Sequence, residues 1–153
     1  MKAGFAFVFA ILMAFFLLSA CGAAQSNQDP AGSAWQIKLT VSGGLNAMDL
    51  TAEYASTGKM SVSDGKTGKQ IDAQIPAADL ARLNQLLASA SGLHSDNTLP
   101  PCNDCYTYAL TGQVNNSNFS FQANNVNLVG SGFGPLVNLL MDLQERASSG
   151  QIK

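Results

Sequence analysis

The 153-residue sequence predicts an α+β domain, a largely antiparallel sheet with two helices packed on one face. Three observations carry this. Short stretches alternate apolar and polar residues with period two, two leucine stripes repeat with the period of a helix, and the early stretches are joined by connections too short for parallel crossovers.

The first strand is expected from Trp35, where Trp35, Ile37, Leu39 and Val41 alternate with Gln36, Lys38, Thr40 and Ser42, and it ends at Gly43-Gly44. Met48, Leu50, Ala52 and Tyr54 repeat the alternation, Met60 and Val62 do so more briefly, and Ile71, Ala73 and Ile75 follow. Ser56-Thr57-Gly58 and Asp64-Gly65-Lys66-Thr67-Gly68 separate these runs and have turn composition, so a meander is expected. At Pro76 the period changes. Leu80, Leu83, Leu86 and Leu87 mark a helix over about residues 77–90, with Pro76 where a helix can begin and Gly92 where one can stop. Tyr106, Tyr108 and Leu110, then Phe119, Phe121 and Ala123, return to period two around a hairpin turn at Asn115-Asn116-Ser117. Gly130-Ser131-Gly132-Phe133-Gly134-Pro135 reads as a flexible lead into a closing helix with the stripe Leu136, Leu139, Leu140 and Leu143. The order is strand meander, helix, hairpin, helix, with no internal repeat.

Ahead of this domain, Met1-Lys2 and the apolar run of residues 3–18 have the form of an export signal. The run ends in Leu18-Ser19-Ala20-Cys21, which resembles the lipobox of bacterial lipoproteins. That resemblance implies a signal peptide over residues 1–20 and a mature chain beginning at a lipidated Cys21. A diacylglyceryl cysteine carries two acyl chains, enough for stable anchoring. An uncleaved transmembrane anchor is the alternative, on a run at the short edge of what spans a bilayer. Residues 21–34, small and polar with Pro30, read as the lipidated cysteine and a flexible tether. One domain over residues 35–147 and a C-terminal tail over residues 148–153 complete the organisation. The expected location is the bacterial cell envelope, with the domain outside the cytoplasm and held to the membrane through Cys21.

Leaving out the signal with its Lys2, seven Lys and Arg stand against ten Asp and Glu. No basic patch appears, which argues against a nucleic-acid partner. Cys102 and Cys105 remain after Cys21. An even number outside the cytoplasm favours a structural disulfide; a redox pair or half of a metal site are the other readings. Thioredoxin-type pairs place the first cysteine at a helix N-terminus, whereas here a strand is expected to follow. A zinc site needs more ligands than His94 and scattered carboxylates offer. His94-Ser95-Asp96 has the residue types of a hydrolytic triad, but three consecutive residues cannot line up nucleophile, base and orienter. Asp49, Glu53, Asp64, Asp72 and Asp79 show no spacing that pairs two for acid and base work. The glycine-rich lead-in lacks the Lys-Ser/Thr ending of a phosphate loop, and Asn124, Asn125 and Asn127 lack the acidic partners of a calcium site. Neither a catalytic site nor a resident cofactor or metal is expected, so the reading is a non-enzymatic binding domain.

Several features in order resemble emfourin, a small protein inhibitor of thermolysin-type metalloproteases, and its lipoprotein relatives. They are the strand ending Val41-Ser42-Gly43-Gly44, the turn at Asp64-Gly65, the helix Asp79-Leu80-Ala81-Arg82-Leu83, Asp104 four residues before Tyr108, and Pro135-Leu136 leading a leucine-rich helix. The resemblance covers about residues 35–143. It implies a partner, a secreted metalloprotease, contacted through Gly43, Gly44 and Leu45 at the first turn and through the loop around Asp104. The chain departs from the pattern at Ser42, where a basic residue is expected, and in its C-x-x-C and lipid anchor. An envelope scaffold or ligand-binding lipoprotein, and an envelope thiol-disulfide redox protein using Cys102 and Cys105, are the competing functional readings.

Overall fold

The computed structural model describes residues 34–90 and 98–153. Cys21 with the expected signal, and the triplet His94-Ser95-Asp96, lie outside the described residues. Six strands are formed: β1 (Trp35–Gly43), β2 (Met48–Ala55), β3 (Lys59–Asp64), β4 (Gln70–Gln74), β5 (Tyr106–Val114) and β6 (Ser117–Asn124). Helix α1 (Ala77–Ala90) lies between β4 and β5, and α2 (Gly134–Ser148) follows β6. The strands make one sheet in the order β4-β3-β2-β1-β5-β6, every neighbouring pair antiparallel. The α+β class and the meander-helix-hairpin-helix order are as the period analysis requires.

The hydrophobic alternation fixes the register. Ile37 stands opposite Tyr54 on β2 and Leu39 opposite both Ala52 and Leu110. Tyr54 pairs with Met60 and Ala52 with Val62, so these residues share one face, and all are buried. Slipping a single pairing by one residue would turn that whole set towards water. Both helices lie over this face. Trp35, two residues before Ile37, donates its indole N–H to Asn84 Oδ1 of α1 at 2.7 Å. From the same face Tyr54 donates its hydroxyl to the Leu140 carbonyl of α2, also at 2.7 Å.

Each helix follows from its sequence. Leu83 and Leu87 are the buried stripe of α1, and the Leu80 N–H closes the first turn on the Pro76 carbonyl. Helix α2 starts with Pro135 in its first turn and buries Leu136, Val137, Leu139, Leu140 and Leu143. Burying each such side chain is worth about 2 kcal/mol, which is why the stripe and not intrinsic propensity decides where the helix sits. Asp79 is more than a helix N-terminal charge on a solvated face: Arg146 Nη2 reaches its Oδ2 at 2.6 Å, joining the two helices. The lead-in to α2 is likewise ordered. Residues Val129–Ser131 form a 3-10 turn, and Phe133 is buried with its ring stacked on Phe121, centroids 4.2 Å apart.

Beyond α2 the chain turns back on the sheet. Ile152 packs against the core, and the Lys153 carbonyl accepts from the Gln74 N–H at 3.1 Å, on the outer strand β4. The β5–β6 turn holds Asn115 and Asn116 at φ 48° and 65°, the positive values that a two-residue hairpin turn of the primed type needs.

Candidate functional site

The antiparallel order sends the β1–β2 turn, the β3–β4 turn, the entry to β5 and the exit from β6 to one end of the sheet. The chain enters β1 at Trp35 at the opposite end. Strand β1 is nine residues long, so about 27 to 30 Å separates the two ends.

At the loop end the sequence-predicted contact residues come together. The Gly44 N–H donates to the Cys105 carbonyl at 3.0 Å, and Gly44 accepts from the Ala47 N–H at 2.9 Å, so Leu45 and Asn46 form the apex of a tight turn. Leu45 is 85% exposed there. Gly43 and Gly44 have φ of 89° and 70°, a region costly for any residue with a Cβ. Space imposes the same choice. A methyl group at Gly43 would stand 2.7 Å from the Cys105 oxygen, and one at Gly44 would enter the Tyr106 ring, 2.8 Å from Cζ. The two glycines thus let the first turn lie directly against the cysteine loop.

Cys102 and Cys105 are disulfide-bonded, with Cα atoms 5.7 Å apart. The bond closes a loop in which Asp104 takes φ 59°, a left-handed conformation that Asp tolerates better than most residues. Strand β5 follows at once, so no helix N-terminus lowers a thiol pKa at this pair. Of the predicted site residues, Gly43, Gly44, Leu45, Cys102, Asp104 and Cys105 are therefore neighbours; Cys21 is outside the described residues.

The asparagines after β6 form a latch that sequence reasoning did not assign. Asn124 Nδ2 donates to the Pro100 carbonyl at 2.8 Å, and Asn127 Nδ2 to the Thr98 carbonyl at 3.2 Å. Asn124 Oδ1 accepts from the Val126 N–H, and Asn127 Oδ1 from the Asn124 N–H. Asn125 Oδ1 accepts from the Tyr106 N–H at 2.7 Å. These bonds to backbone tie the segment before the disulfide and the start of β5 to the end of β6. The signal in the sequence was the clustering itself, since Asn side chains satisfy their own and neighbouring backbone in irregular turns.

Leu99, Val126 and Val129 were also missed as surface residues. With Leu45 they are the exposed large hydrophobic residues among the described residues, and all four belong to loops at this end. On the flank, the Asp64 carboxylate accepts N–H groups from Lys66 and Thr67, which holds its pKa below the usual carboxylate value. The Lys66 ammonium reaches the Asn46 carbonyl and links this turn to the first. Burial raises the Tyr108 phenol pKa, and its neighbour Tyr106 adds to the effect, while a side-chain bond with Asn125 opposes it.

Among the described residues no group of three His, Cys, Asp or Glu could hold a metal ion, and no helix is long and apolar enough to cross a membrane. What the loop end offers is a shaped surface: a glycine turn set by φ and by close contact, a short disulfide loop, and an apolar fringe. The chain matches no known protein family and no curated protein.

Proposed function

We propose that this protein is a lipid-anchored extracytoplasmic binding domain that presents its loop end to a protein, with a secreted metalloprotease of the thermolysin type as the partner to test first. The observation that carries the reading is the meeting of Gly43, Gly44 and Leu45 with the Cys102–Asp104–Cys105 loop, at the sheet end opposite the chain's entry at Trp35. A flexible tether over residues 22–34 from a lipidated Cys21 would let the domain reach a partner above the membrane. Inhibition requires no catalytic groups of its own, only a surface whose shape is fixed before contact, because a preset loop loses little entropy on binding. The choice of a metalloprotease rests on the resemblance to emfourin.

The test is inhibition of thermolysin-type enzymes by residues 22–153 with the disulfide intact and, alongside, reduced. Stoichiometric inhibition that weakens in Leu45→Asp or Asp104→Ala supports the reading. Full protease activity at saturating domain across several such enzymes rules out the inhibitor and leaves an envelope scaffold. Metabolic labelling with a fatty acid that persists in Cys21→Ala would overturn the anchor.

A further inference from the structure

The cysteine loop is held differently from the chain on either side of it. Ahead of it, the Thr98 and Pro100 carbonyls accept from Asn127 and Asn124. Behind it, the Cys105 carbonyl accepts from the Gly44 N–H, and the Tyr106 N–H donates to Asn125. Between these anchors residues 101–104 are all exposed, and Asp104 makes no hydrogen bond or ion pair among the described residues. The disulfide is therefore what keeps Asp104 at φ 59°, in a region that few residues other than glycine occupy.

The two sulfurs are unequally placed. Cys102 is exposed, whereas Cys105 is half-buried and its carbonyl lies under the first turn. An incoming thiolate thus has access to Cys102 Sγ. By linkage, the stability that a disulfide lends the fold is the stability that the fold lends the disulfide, and a loop of four residues makes that exchange small. An exposed disulfide with little support from the fold belongs to the class that thiols reduce.

We infer that the Cys102–Cys105 bond is a redox switch on the loop end. Oxidised, it presents Asp104 in one fixed conformation; reduced by a thiol, it frees residues 101–104 and leaves the rest of the domain in place. The inference rests on the loop-end reading for the purpose of the switch and not for its chemistry. A thiolate of the reductant attacks Cys102 Sγ, the bond between the cysteines breaks, and Cys105 leaves as a thiolate that takes a proton from water. A second thiolate of the reductant then attacks the sulfur joined to Cys102, which leaves in turn and is protonated. Two electrons pass to the cysteines, and the two reductant sulfurs end as a disulfide, their protons given to water. Gly44 remains bonded to the Cys105 carbonyl and Tyr106 to Asn125 throughout, so the first turn and the start of β5 keep their places.

The experiment equilibrates the full-length chain in detergent with about 10 mM glutathione containing a varied share of its disulfide, and reads reduction by mass on the alkylated peptide that holds Cys102 and Cys105. Half or more of the pairs are expected to be reduced when about one part in a hundred of the glutathione is oxidised. On reduction the Asp104 amide should move towards its random-coil NMR shift. The Gly44 and Tyr106 amides should keep their protection from hydrogen exchange within about threefold, and the fluorescence of the buried Trp35 should be unchanged. Cys102→Ser with Cys105→Ser should reproduce the reduced spectrum. Asp104→Ala should be reduced severalfold more readily than Asp104→Asn, because alanine takes the left-handed conformation at greater cost than asparagine. A pair that stays oxidised in every mixture overturns the proposal, as do equal midpoints for the two Asp104 variants. Loss of Gly44 protection or of the Trp35 signal on reduction overturns it too, since the disulfide would then be holding the fold. No partner protein enters, so this result and the outcome of the protease assay stand or fall separately.

Discussion

Gly44→Ala isolates the geometry on which the loop end depends. At φ 70° an alanine costs about 1 to 2 kcal/mol in backbone strain alone. Its methyl group also falls within 2.8 and 2.9 Å of Tyr106 Cζ and Cδ1, so the ring must move. Tyr106 packs against the core and its N–H is held by Asn125, so moving it forfeits contacts, an overpacking cost of about 1 to 2 kcal/mol. The expected total is about 2 to 4 kcal/mol, or roughly 8 to 16 °C in Tm for a domain of this size. In a Tyr106→Ala background the ring is gone and only the strain should remain, so the same substitution should cost about 1 to 2 kcal/mol. The assay is urea unfolding of wild type, both single variants and the double variant of residues 22–153, with the m value checked for constancy. The difference between the two backgrounds is the energy of the close approach. Equal losses in both backgrounds would show that φ alone demands glycine and that the contact between the first turn and β5 is incidental.

Three further outcomes are expected. Tyr54→Phe removes the hydroxyl that bonds to the Leu140 carbonyl in the core and should cost about 1 to 2 kcal/mol by denaturant unfolding. In the wild type, ultraviolet titration should find this phenol un-ionised well above the usual tyrosine range until the domain unfolds, because burial raises its pKa. Asp64, lowered by the N–H groups of Lys66 and Thr67, contributes stability that is present above the unfolded carboxylate pKa and lost as pH falls through its lower folded value. Carbon-detected NMR should place its titration below those of exposed carboxylates, and a normal midpoint would refute its bonding to the turn N–H groups. Replacing Cys102 and Cys105 with serine opens a four-residue loop, for which chain entropy gives only about 2 kcal/mol. The variant should therefore stay folded, and a domain that unfolds without the disulfide would contradict a fold held by its leucine core.

The strands and helices were legible because one periodicity decides each of them. Alternation from Trp35 to Val41 fixes which face of β1 is buried, and the Leu80-Leu83-Leu87 stripe fixes both the length and the buried face of α1. The sequence also pointed to the turn at Gly43-Gly44 and the pairing of Cys102 with Cys105. It could not show that these two features touch, because the contact depends on β5 adding to the free side of β1, and strand order is not written in local periodicity. The asparagine latch escaped for a related reason. Asn124, Asn125 and Asn127 bond to backbone groups of Thr98, Pro100 and Tyr106, and a backbone partner leaves no mark on the sequence at the other end of the bond. The closing contact on β4 is the same case again, since Lys153 reaches Gln74 only by the return of the chain after α2.

The open sheet face and the loop end differ in character, and the difference follows from how the sheet is built. An antiparallel sheet covered on one face must keep the other face polar to remain dissolved, so its open side carries Lys, Gln, Ser and Thr at every second position. Such a face can grip charged, hydrated ligands but gains little from burying apolar area. The loop ends are free of that alternation. There the chain exposes Leu45, Leu99, Val126 and Val129 on turns whose backbone is fixed by glycine, disulfide and asparagine. Apolar side chains held on a rigid backbone are the costly arrangement for a solitary domain and the productive one for a protein contact, where their burial is worth about 25 cal/mol per Å². Replacing Val126 and Val129 together by serine should therefore leave Tm within about 2 °C, since surface changes away from special backbone or core features are nearly neutral. The same change should weaken any protein complex formed through the loop end, and an undiminished affinity would remove the apolar fringe from the interface.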